Sequence, residues 1–370
     1  MMSTARKYHY KTPSLNTKSS SGVFSEISRL LKQVEEASLP PELKEEVAER
    51  LERLNRAMKL GPYQSEYELT AKYIEWIVSL PWSKRSADNL SLELAKKTLD
   101  KNHYGIDQIK DRILEYMAVL KLQAEQEKTN IVKLTRSPVI CLVGLPGTGK
   151  TSFAASIAEA LDRQFVRIAM GGMSSALVMR GQSKTFPEAE PGLVIKNLKR
   201  AATKNPVLLL DEIDSTAEGA ESDIMGVLLE LLDPEQNFAF TDYYIDYPFD
   251  LSEVLFICSA NQIGNITGAV MDRLEIILMP RYTEEDKIRI ARDYLLPREF
   301  ENIGLSTSVV SFAPDVWPRV IKPFGYDIDI RNLQRTINAV LRKTARRSVE
   351  GDSKQIVITN SNLADFLPTW

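Results

Sequence analysis

The amino-acid sequence predicts an α/β fold in which helices cover both faces of a parallel sheet. Three observations support this prediction. Short apolar runs alternate with amphipathic helical stretches, a glycine-rich motif follows one run, and two other runs end in acidic or amide residues. The predicted strands are residues 139–143, 165–168, 207–210 and 254–259. The helices predicted among them span residues 106–122, 150–161 and 191–203.

Composition limits the class of protein. The 370 residues are 44% hydrophobic and 26% charged, which suits two or three globular domains with large cores. The 47 basic and 50 acidic side chains nearly balance, so overall charge indicates no nucleic-acid partner. No apolar run reaches the length of about 18 residues that spans a membrane. Cys141 and Cys258 lie in apolar runs, which indicates buried free thiols in a reducing compartment, and the histidines lie too far away to complete a zinc site.

Four segments are predicted along the chain. Residues 1–22 carry basic residues and no acid, which indicates a disordered basic tail. Residues 23–98 show apolar positions three and four apart and are predicted to form a helical scaffold. Residues 99–280 form the predicted α/β domain, and residues 281–370 return to a helical pattern with prolines between the helices. A cytoplasmic location is expected, with organellar targeting by the tail left open.

A complete P-loop pattern stands between a predicted strand and a predicted helix. Its glycines let backbone N–H groups surround a phosphate chain, and the helix N-terminus adds partial positive charge. Lys150 is expected to reach the β- and γ-phosphates, and Thr151 to bind Mg²⁺. The residues predicted to bind ATP here are Gly144, Pro146, Gly147, Thr148, Gly149, Lys150 and Thr151.

Two further strand ends carry polar residues that suit the same site. Asp211 and Glu212 follow an apolar strand, so Asp211 is expected to hold Mg²⁺ through water and Glu212 to orient and polarise the attacking water. Asn261 follows another strand and is expected to position that water. Because ligands of open α/β sheets bind at the carboxyl ends of strands, these residues are expected to converge.

Several segments resemble the ATPase module of the Lon protease family, a group of AAA+ proteins. They are LPPELKEEVAERLERLNRAM, YIEWIVSLPW, NHYGIDQIKDRILEYMAVLKL, LLDEID, LLELLDPEQNFAFTDYYIDYPFDLSEVLFICSAN, MDRLEIILMPRYTEEDK and DIRNLQR. The resemblance runs from about Phe24 to the C-terminus, and the DPEQN segment with its hairpin is specific to this family among AAA+ proteins. It implies an AAA+ large α/β ATPase domain at 99–280 and a small α-helical lid domain at 281–370.

The resemblance also implies roles for individual residues. Arg273 matches the arginine finger, which completes the site of a neighbouring subunit. Arg331 matches the sensor-2 arginine of the lid, although its helix carries several arginines and local sequence alone indicates a solvated basic face. His103, Tyr104 and Ile106 match the segment that packs on adenine.

Two departures from the family are visible. The chain has no N-terminal substrate-recognition domain and stops at Trp370, about where a Ser–Lys peptidase domain would begin, so either the protein ends here or the chain is a fragment. In the central substrate loop, Phe186 keeps the aromatic residue, but Pro187 replaces an aliphatic one, and Glu188 and Glu190 add negative charge. We interpret this as an altered grip that favours basic segments or one dedicated partner. A loop that has drifted without function is the alternative.

The leading prediction is an ATP-hydrolysing ring motor, with Mg²⁺ as its metal, that unfolds, translocates or remodels polypeptides. As a homo-oligomer it is expected to form a ring of six subunits, with a separate peptidase or an adaptor as further partner and no membrane contact. The alternatives are the ATPase fragment of a full-length Lon-like protease, and a nucleotide-switched module that assembles or binds nucleic acid. The aromatic group of residues 238–249 suits either a base-stacking platform or a hairpin with core contacts.

Overall fold

The computed structural model describes most of the chain. The described residues are 18–58, 64–127, 139–186, 188–323, 329–351 and 355–367. The chain divides into two compact units, residues 1–83 and 84–370. Most of the tail predicted at 1–22 lies outside the described residues, and a helix already begins at Lys18. None of the helices in the described ranges has the length and apolar composition that crossing a bilayer requires.

The first unit contains three helices in its described residues. They are α1 Lys18–Glu36, α2 Pro41–Met58 and α3 Gln64–Ser79. Pro41 is the first residue of α2, a position where the missing N–H costs no helical hydrogen bond. Each helix contacts the other two through apolar residues spaced three or four apart. Those buried in this way include Ile27, Leu30, Val34, Val47, Leu51, Leu54, Ile74 and Ile77.

The second unit is built around a five-stranded parallel sheet. Its elements up to residue 278 are α4 Leu92–Asn102, α5 Asp107–Glu127, β1 Val139–Val143, α6 Lys150–Leu161, β2 Phe165–Ala169, α7 Leu177–Arg180, α8 Leu193–Ala201, β3 Val207–Asp211, α9 Glu221–Leu232, the 3-10 turn Asn237–Ala239, β4 Phe240–Thr241, β5 Pro248–Phe249, β6 Leu255–Ala260, α10 Gly268–Met271 and β7 Leu274–Leu278. The strand order is β2-β3-β6-β1-β7, and every pair is parallel. The predicted α/β fold with a parallel sheet is therefore confirmed.

The strand order brings three chemically important strand ends together. β6 lies between β3 and β1, with Leu210 paired to Cys258 and Val143 paired to Ala260. Every residue of β3 and β6 is buried, because helices cover both faces of the sheet. β7, which the sequence analysis did not predict, extends the sheet beyond β1.

The boundary between the units differs from the one expected from the sequence. The sequence analysis ended the helical scaffold at residue 98, whereas the structure divides the chain after residue 83. Ala95 and Leu99 of α4 are fully buried in the same core as Phe153 of α6. The Asn89 N–H also donates to the carbonyl of Leu161 at 2.9 Å. Residues 84–98 therefore pack with the α/β part of the chain.

The C-terminal part of the second unit has a core of its own. Its elements are α11 Glu284–Arg289, the π-helical segment Ile290–Leu295, α12 Leu296–Ile303, β8 Val310–Phe312, α13 Trp317–Val320, α14 Ile330–Val349, β9 Ile356–Ile358 and α15 Leu363–Phe366. Thr283 and Asp286 form a capping box that starts α11. Trp317 and Leu333 lie in the centre of this core. β8 and β9 pair in parallel.

The aromatic residues between 238 and 249 divide into buried and exposed groups. Phe240, Tyr244 and Phe249 are buried, and β4 and β5 pair Phe240 with Phe249. Phe238 and Tyr243 are exposed. A base-stacking platform is not supported, because half of the group is taken up by the core.

Candidate nucleotide site and polypeptide loop

The phosphate loop connects β1 to α6 and needs its glycines for conformation and space. Gly147 and Gly149 have φ of +81° and +93°, which favour glycine. A Cβ on Gly147 would lie 2.8 Å from the side chain of Asp329, and one on Gly144 would lie 2.9 Å from Met279. The Thr148 hydroxyl donates to the Leu145 carbonyl at 2.9 Å and closes the loop.

Lys150 begins α6 and is surrounded by acceptors. Its Nζ donates to the carbonyl of Gly144 at 2.5 Å, to that of Leu145 at 3.1 Å and to Oδ1 of Asn261 at 3.0 Å. Burial lowers the pKa of Lys150, and the Arg331 charge acts in the same direction, against the nearby carboxylates. The ammonium group is thus held where the loop backbone and the end of β6 meet.

Asp211 ends β3 and is the most heavily bonded carboxylate of the site. It is 3% exposed. Its Oδ2 accepts hydrogen bonds from Thr151 Oγ1 at 3.1 Å and from Arg167 Nε at 2.6 Å. Its Oδ1 accepts one from the Ser259 hydroxyl. The hydroxyl and carboxylate predicted to bind Mg²⁺ are therefore adjacent.

Glu212 occupies a left-handed backbone conformation, with φ of +61°. Its N–H donates to Ser259 Oγ at 3.0 Å. Its carboxylate lies against Gly171, where a Cβ would be 2.7 Å from Glu212 Oε2. Non-glycine residues with positive φ are uncommon, and such strain concentrates at functional sites.

Asn261 follows β6 and joins two parts of the site. Its side chain accepts from Lys150, and its N–H donates to Asp214 Oδ1 at 3.1 Å. Asp214 also accepts from the N–H of Gln262 at 3.1 Å. This carboxylate, which the sequence analysis did not select, fixes the direction in which the chain leaves β6.

The two arginines implied by the family resemblance lie in different surroundings. Arg273 precedes β7 and donates to Asp233 Oδ2 at 2.8 Å and to the Ala269 carbonyl at 2.8 Å. Arg331 is exposed in the first turn of α14, two residues after the capping residue Asp329. Asp329 touches Gly147, so the start of α14 meets the phosphate loop.

The basic face of α14 is partly engaged within the chain. Arg346 pairs with Glu350 at 2.7 Å, and Arg347 lies over the ring of Phe366 at 4.4 Å. These contacts give two of the arginines structural partners. These contacts do not favour the alternative in which the chain is a nucleotide-switched module that binds nucleic acid.

The segment expected to pack on adenine separates into two environments. His103 Nε2 lies 2.9 Å from Ser156 Oγ, and its ring meets Phe153 edge-on at 5.1 Å. Burial, with Lys110 nearby, lowers the pKa of His103 to about 4, so this ring is neutral at pH 7. Ile106 packs beside the core below α6, with φ of +52°.

Tyr104 faces a cleft between α4 and the C-terminal helices. Arg289 lies over its ring at 5.6 Å and donates to its hydroxyl at 3.0 Å. The Tyr294 hydroxyl donates to the Asp100 carbonyl at 3.2 Å across the same cleft. The cleft has a volume of about 710 Å³ and is lined by Asp100, Lys101, Tyr104, Glu285, Ile288, Arg289, Arg292, Asp293 and Tyr294.

The predicted polypeptide loop is exposed at its tip. The Phe186 side chain is 61% exposed, and the loop lies between Gly181 and Gly192. Pro187 lies outside the described residues. Glu190 pairs with Lys196 at 2.7 Å, so part of the acidic charge of the loop is balanced locally.

The base of this loop is fastened to the β4–β5 hairpin by Asp242, which is 1% exposed. Its carboxylate accepts from the N–H groups of Gly192 at 2.7 Å, Tyr244 at 2.8 Å and Ile245 at 3.1 Å. Burial raises the pKa of Asp242 to about 6, against these three donors. A Cβ on Gly192 would lie 1.9 Å from the Met179 carbonyl oxygen, so the two ends of the loop meet backbone to backbone.

The residues present fit a nucleotide and its metal. The first turn of α6 has no side-chain cap, so its N–H groups are available to a phosphate. Gly147 keeps a Cβ out of the loop, and Thr151 and Asp211 supply the oxygen donors that Mg²⁺ prefers. A P-loop, an acidic strand end and a polar strand end side by side define a nucleoside-triphosphatase of the P-loop type.

Comparison with known proteins identifies the class. Residues 140–282 match the family model named AAA, described as "ATPase family associated with various cellular activities". The chain therefore carries an AAA ATPase domain, and nucleotide binding is the property common to that family.

The similarity to known proteins extends beyond residues 140–282 to most of the chain. It is 43% identical over 345 residues to Lon protease 2 of Thermus thermophilus, covering 92% of this chain and 42% of that protein. It is 40% identical over 343 residues to Lon protease of Syntrophomonas wolfei, covering 93% of this chain and 41% of that protein. The chain is thus similar to Lon proteases over nearly all of its own length and spans about two fifths of the length of these relatives.

Proposed function

We propose that this chain is an ATP-hydrolysing motor that unfolds, translocates or remodels polypeptides. The observation that carries this proposal is the meeting of three strand ends, which brings together two hydrogen-bonded pairs, Lys150 with Asn261 and Thr151 with Asp211. The Lon relatives support the same assignment. Polypeptide as the substrate rests on that relationship and on exposed Phe186.

The binding roles follow from the chemistry of the side chains. Lys150 would release its carbonyl and amide acceptors and pair with the β- and γ-phosphates of ATP. Thr151 and Asp211 would hold Mg²⁺, which, when bound, neutralises charge that develops on the phosphate oxygens. Tyr104 would lie beside the adenine, because it faces the cleft between α4 and the C-terminal helices.

Glu212 would orient and polarise the water that attacks the γ-phosphate. Its left-handed backbone conformation sets the direction in which the side chain leaves the backbone. Its carboxylate lies against Gly171, and this contact restricts the rotation of the carboxylate. Asn261 would hold the same water from the neighbouring strand once Lys150 turns to the phosphates. Both groups therefore position the nucleophile.

Two arginines would couple the site to other parts of an assembly. Arg273 would act on the nucleotide of a neighbouring subunit, where a guanidinium spreads positive charge over the transferring phosphoryl group. This role requires a homo-oligomer, and we propose a six-membered ring. Arg331 would sense the γ-phosphate from the first turn of α14, next to the phosphate loop.

Phe186 would contact the polypeptide as subunits change state. We propose that α14 and its neighbours move with the nucleotide and displace the loop between Gly181 and Gly192. Coupling to a peptidase, on a longer form of the chain or on a separate partner, stays a prediction, as do an adaptor and the cytoplasmic location.

The test is ATP hydrolysis by the wild-type chain with and without an unfolded protein such as casein. We expect Mg²⁺-dependent hydrolysis that casein stimulates. Glu212→Gln should bind ATP with wild-type affinity and lose hydrolysis by about 10²-fold or more, because only the group that positions water changes. If Glu212→Gln hydrolyses ATP at the wild-type rate, the role assigned to Glu212 in positioning the attacking water is wrong. Hydrolysis that no polypeptide stimulates would contradict the motor but leave the ATPase standing.

A further inference from the structure

An arginine outside the predicted site holds the proposed metal ligand. Arg167 lies in the middle of β2 and is the one charged residue of that strand. Its Nε donates to Asp211 Oδ2 at 2.6 Å, closer than Thr151 Oγ1 at 3.1 Å on the same oxygen. Neither the P-loop motif nor the strand-end residues pointed to it.

The sheet explains why Arg167 reaches this carboxylate. β2 and β3 are parallel, and Arg167 pairs in register with Leu209. Side chains of paired residues share one face of the sheet, and Asp211 returns to that face two residues after Leu209. The long arginine side chain therefore extends along the α6 face toward the carboxyl end of the neighbouring strand.

Asp211 has little capacity left for a cation while Arg167 is bound. A carboxylate offers about four lone-pair positions, and Arg167, Thr151 and Ser259 take three of them. A guanidinium contributes only donors and one positive charge. A divalent cation beside Asp211 and Thr151 would be repelled by it at this short separation.

We propose that Arg167 competes with Mg²⁺ for the Asp211 carboxylate, so that metal binding requires the guanidinium to leave. This inference rests on the proposed function, namely on Thr151 and Asp211 as metal ligands. Among the described residues, Asp211 is the one ion-pair partner of Arg167. The Arg167 side chain is 48% exposed, so the guanidinium can be hydrated as soon as it lets go.

Arg167 is thus a positioning residue that acts through Asp211. With the guanidinium in place, the buried carboxylate is neutralised without metal. With Mg²⁺ and nucleotide in place, the carboxylate serves the metal instead. Because the metal must displace the guanidinium, the exchange lowers the preference of the wild-type site for the metal–nucleotide complex over nucleotide alone.

A purely structural role for Arg167 predicts something different. The arginine would then only compensate a buried charge, and its removal would lower stability without altering the relation between metal and nucleotide. The quantity that separates the two roles is the ratio of nucleotide affinities with and without Mg²⁺, because linkage makes this ratio a measure of their coupling.

The experiment measures binding of a fluorescent ADP analogue in Mg²⁺ and in EDTA to the wild-type chain, Arg167→Gln and Arg167→Lys. Arg200→Gln, an exposed arginine on α8, controls for the loss of one positive charge. We expect the ratio of affinities to rise about three- to fivefold in Arg167→Gln, as for a half-exposed ion pair. Arg167→Lys and Arg200→Gln should keep the wild-type ratio.

Thermal unfolding of each variant is measured alongside. A lower melting temperature with an unchanged ratio in Arg167→Gln would overturn the inference and leave the nucleotide site intact. A ratio that falls would overturn it as well. A wild-type chain that binds no nucleotide in either condition would instead remove the proposed function, and this inference with it.

Discussion

The nucleotide site and the polypeptide loop are held in different ways. In the nucleotide site, Lys150, Asp211 and Asn261 are bonded to groups from three adjacent strand ends. In the loop, Phe186 is exposed, and the anchoring contacts lie at the base around Asp242. The sheet therefore constrains the chemistry of phosphate transfer tightly, whereas the loop tip can change without disturbing the fold. Differences from relatives are expected to concentrate at the tip.

The largest effect is expected from Lys150→Met, which removes a central hydrogen-bonding group from the nucleotide site. Loss of the ammonium group should lower the affinity for Mg²⁺–ATP and reduce hydrolysis by about 10²–10³-fold, as expected for a preorganised electrostatic group. Titration with a fluorescent nucleotide and a phosphate-release assay measure both. Lys97→Met, on the exposed face of α4, is the control. Retention of full affinity in Lys150→Met would contradict the assignment.

The pH dependence of stability tests the buried side of the nucleotide site. The pKa of His103 falls from its usual 6.5 to about 4 in the folded chain. The folded state therefore binds this proton less readily than the unfolded state. The resulting stability is complete above about pH 6.5 and is lost as pH falls toward 4.

Between pH 7 and pH 5 the expected loss from His103 is about 2 kcal/mol. His103→Gln keeps a polar partner for Ser156 and should lose this part of the pH dependence. Denaturant unfolding of both proteins at the two pH values gives the difference. Equal pH dependence in the two proteins would show that His103 is not buried in its neutral form.

Asp242→Asn tests whether the anchored base controls the exposed tip. An amide cannot accept from all three N–H groups, and one unsatisfied buried donor costs about 1–3 kcal/mol. We expect polypeptide stimulation of ATP hydrolysis to fall about tenfold while basal hydrolysis is kept. Asp223→Asn, which changes an exposed carboxylate on α9, is the control. An equal fall in basal hydrolysis would assign Asp242 to general stability.

The smallest effect is expected from Phe186→Ala. An exposed ring that is partly buried by a bound polypeptide should raise the concentration for half-maximal stimulation about fivefold. Phe238→Ala, which removes an equally exposed ring outside the loop, should leave that concentration unchanged. If Phe186→Ala leaves substrate-dependent unfolding untouched, the altered-grip interpretation fails. Peptides of opposite charge then show whether the loop favours basic segments.

The fold class and the contiguous phosphate loop could be predicted from sequence, because both depend on local pattern. Four of the five sheet strands were predicted within one residue at either end, and the fold class is confirmed. β7 was not predicted, because Glu275 interrupts its apolar run. Its place beside β1 depends on pairing that no local pattern specifies.

The partners of the site residues were harder to foresee. Arg167, Asp214 and Ser259 act across strands or loops far apart in sequence, so only the strand order reveals them. One signal was available, since Arg167 is a lone charge inside an apolar strand. Asp242 gave no comparable signal, because Asp246 and Asp250 follow it in the same segment.

The left-handed backbone of Glu212 has a consequence for engineering and for sequence drift. A side chain in this conformation costs about 1 kcal/mol or more, which glycine or asparagine would avoid. Glu212→Gly should therefore give a chain that tolerates more heat than the wild type and turns over no ATP. Selection for thermal tolerance alone would replace the glutamate at this position. A stabilised variant that still carries Glu212 would therefore indicate that ATP turnover was also under selection.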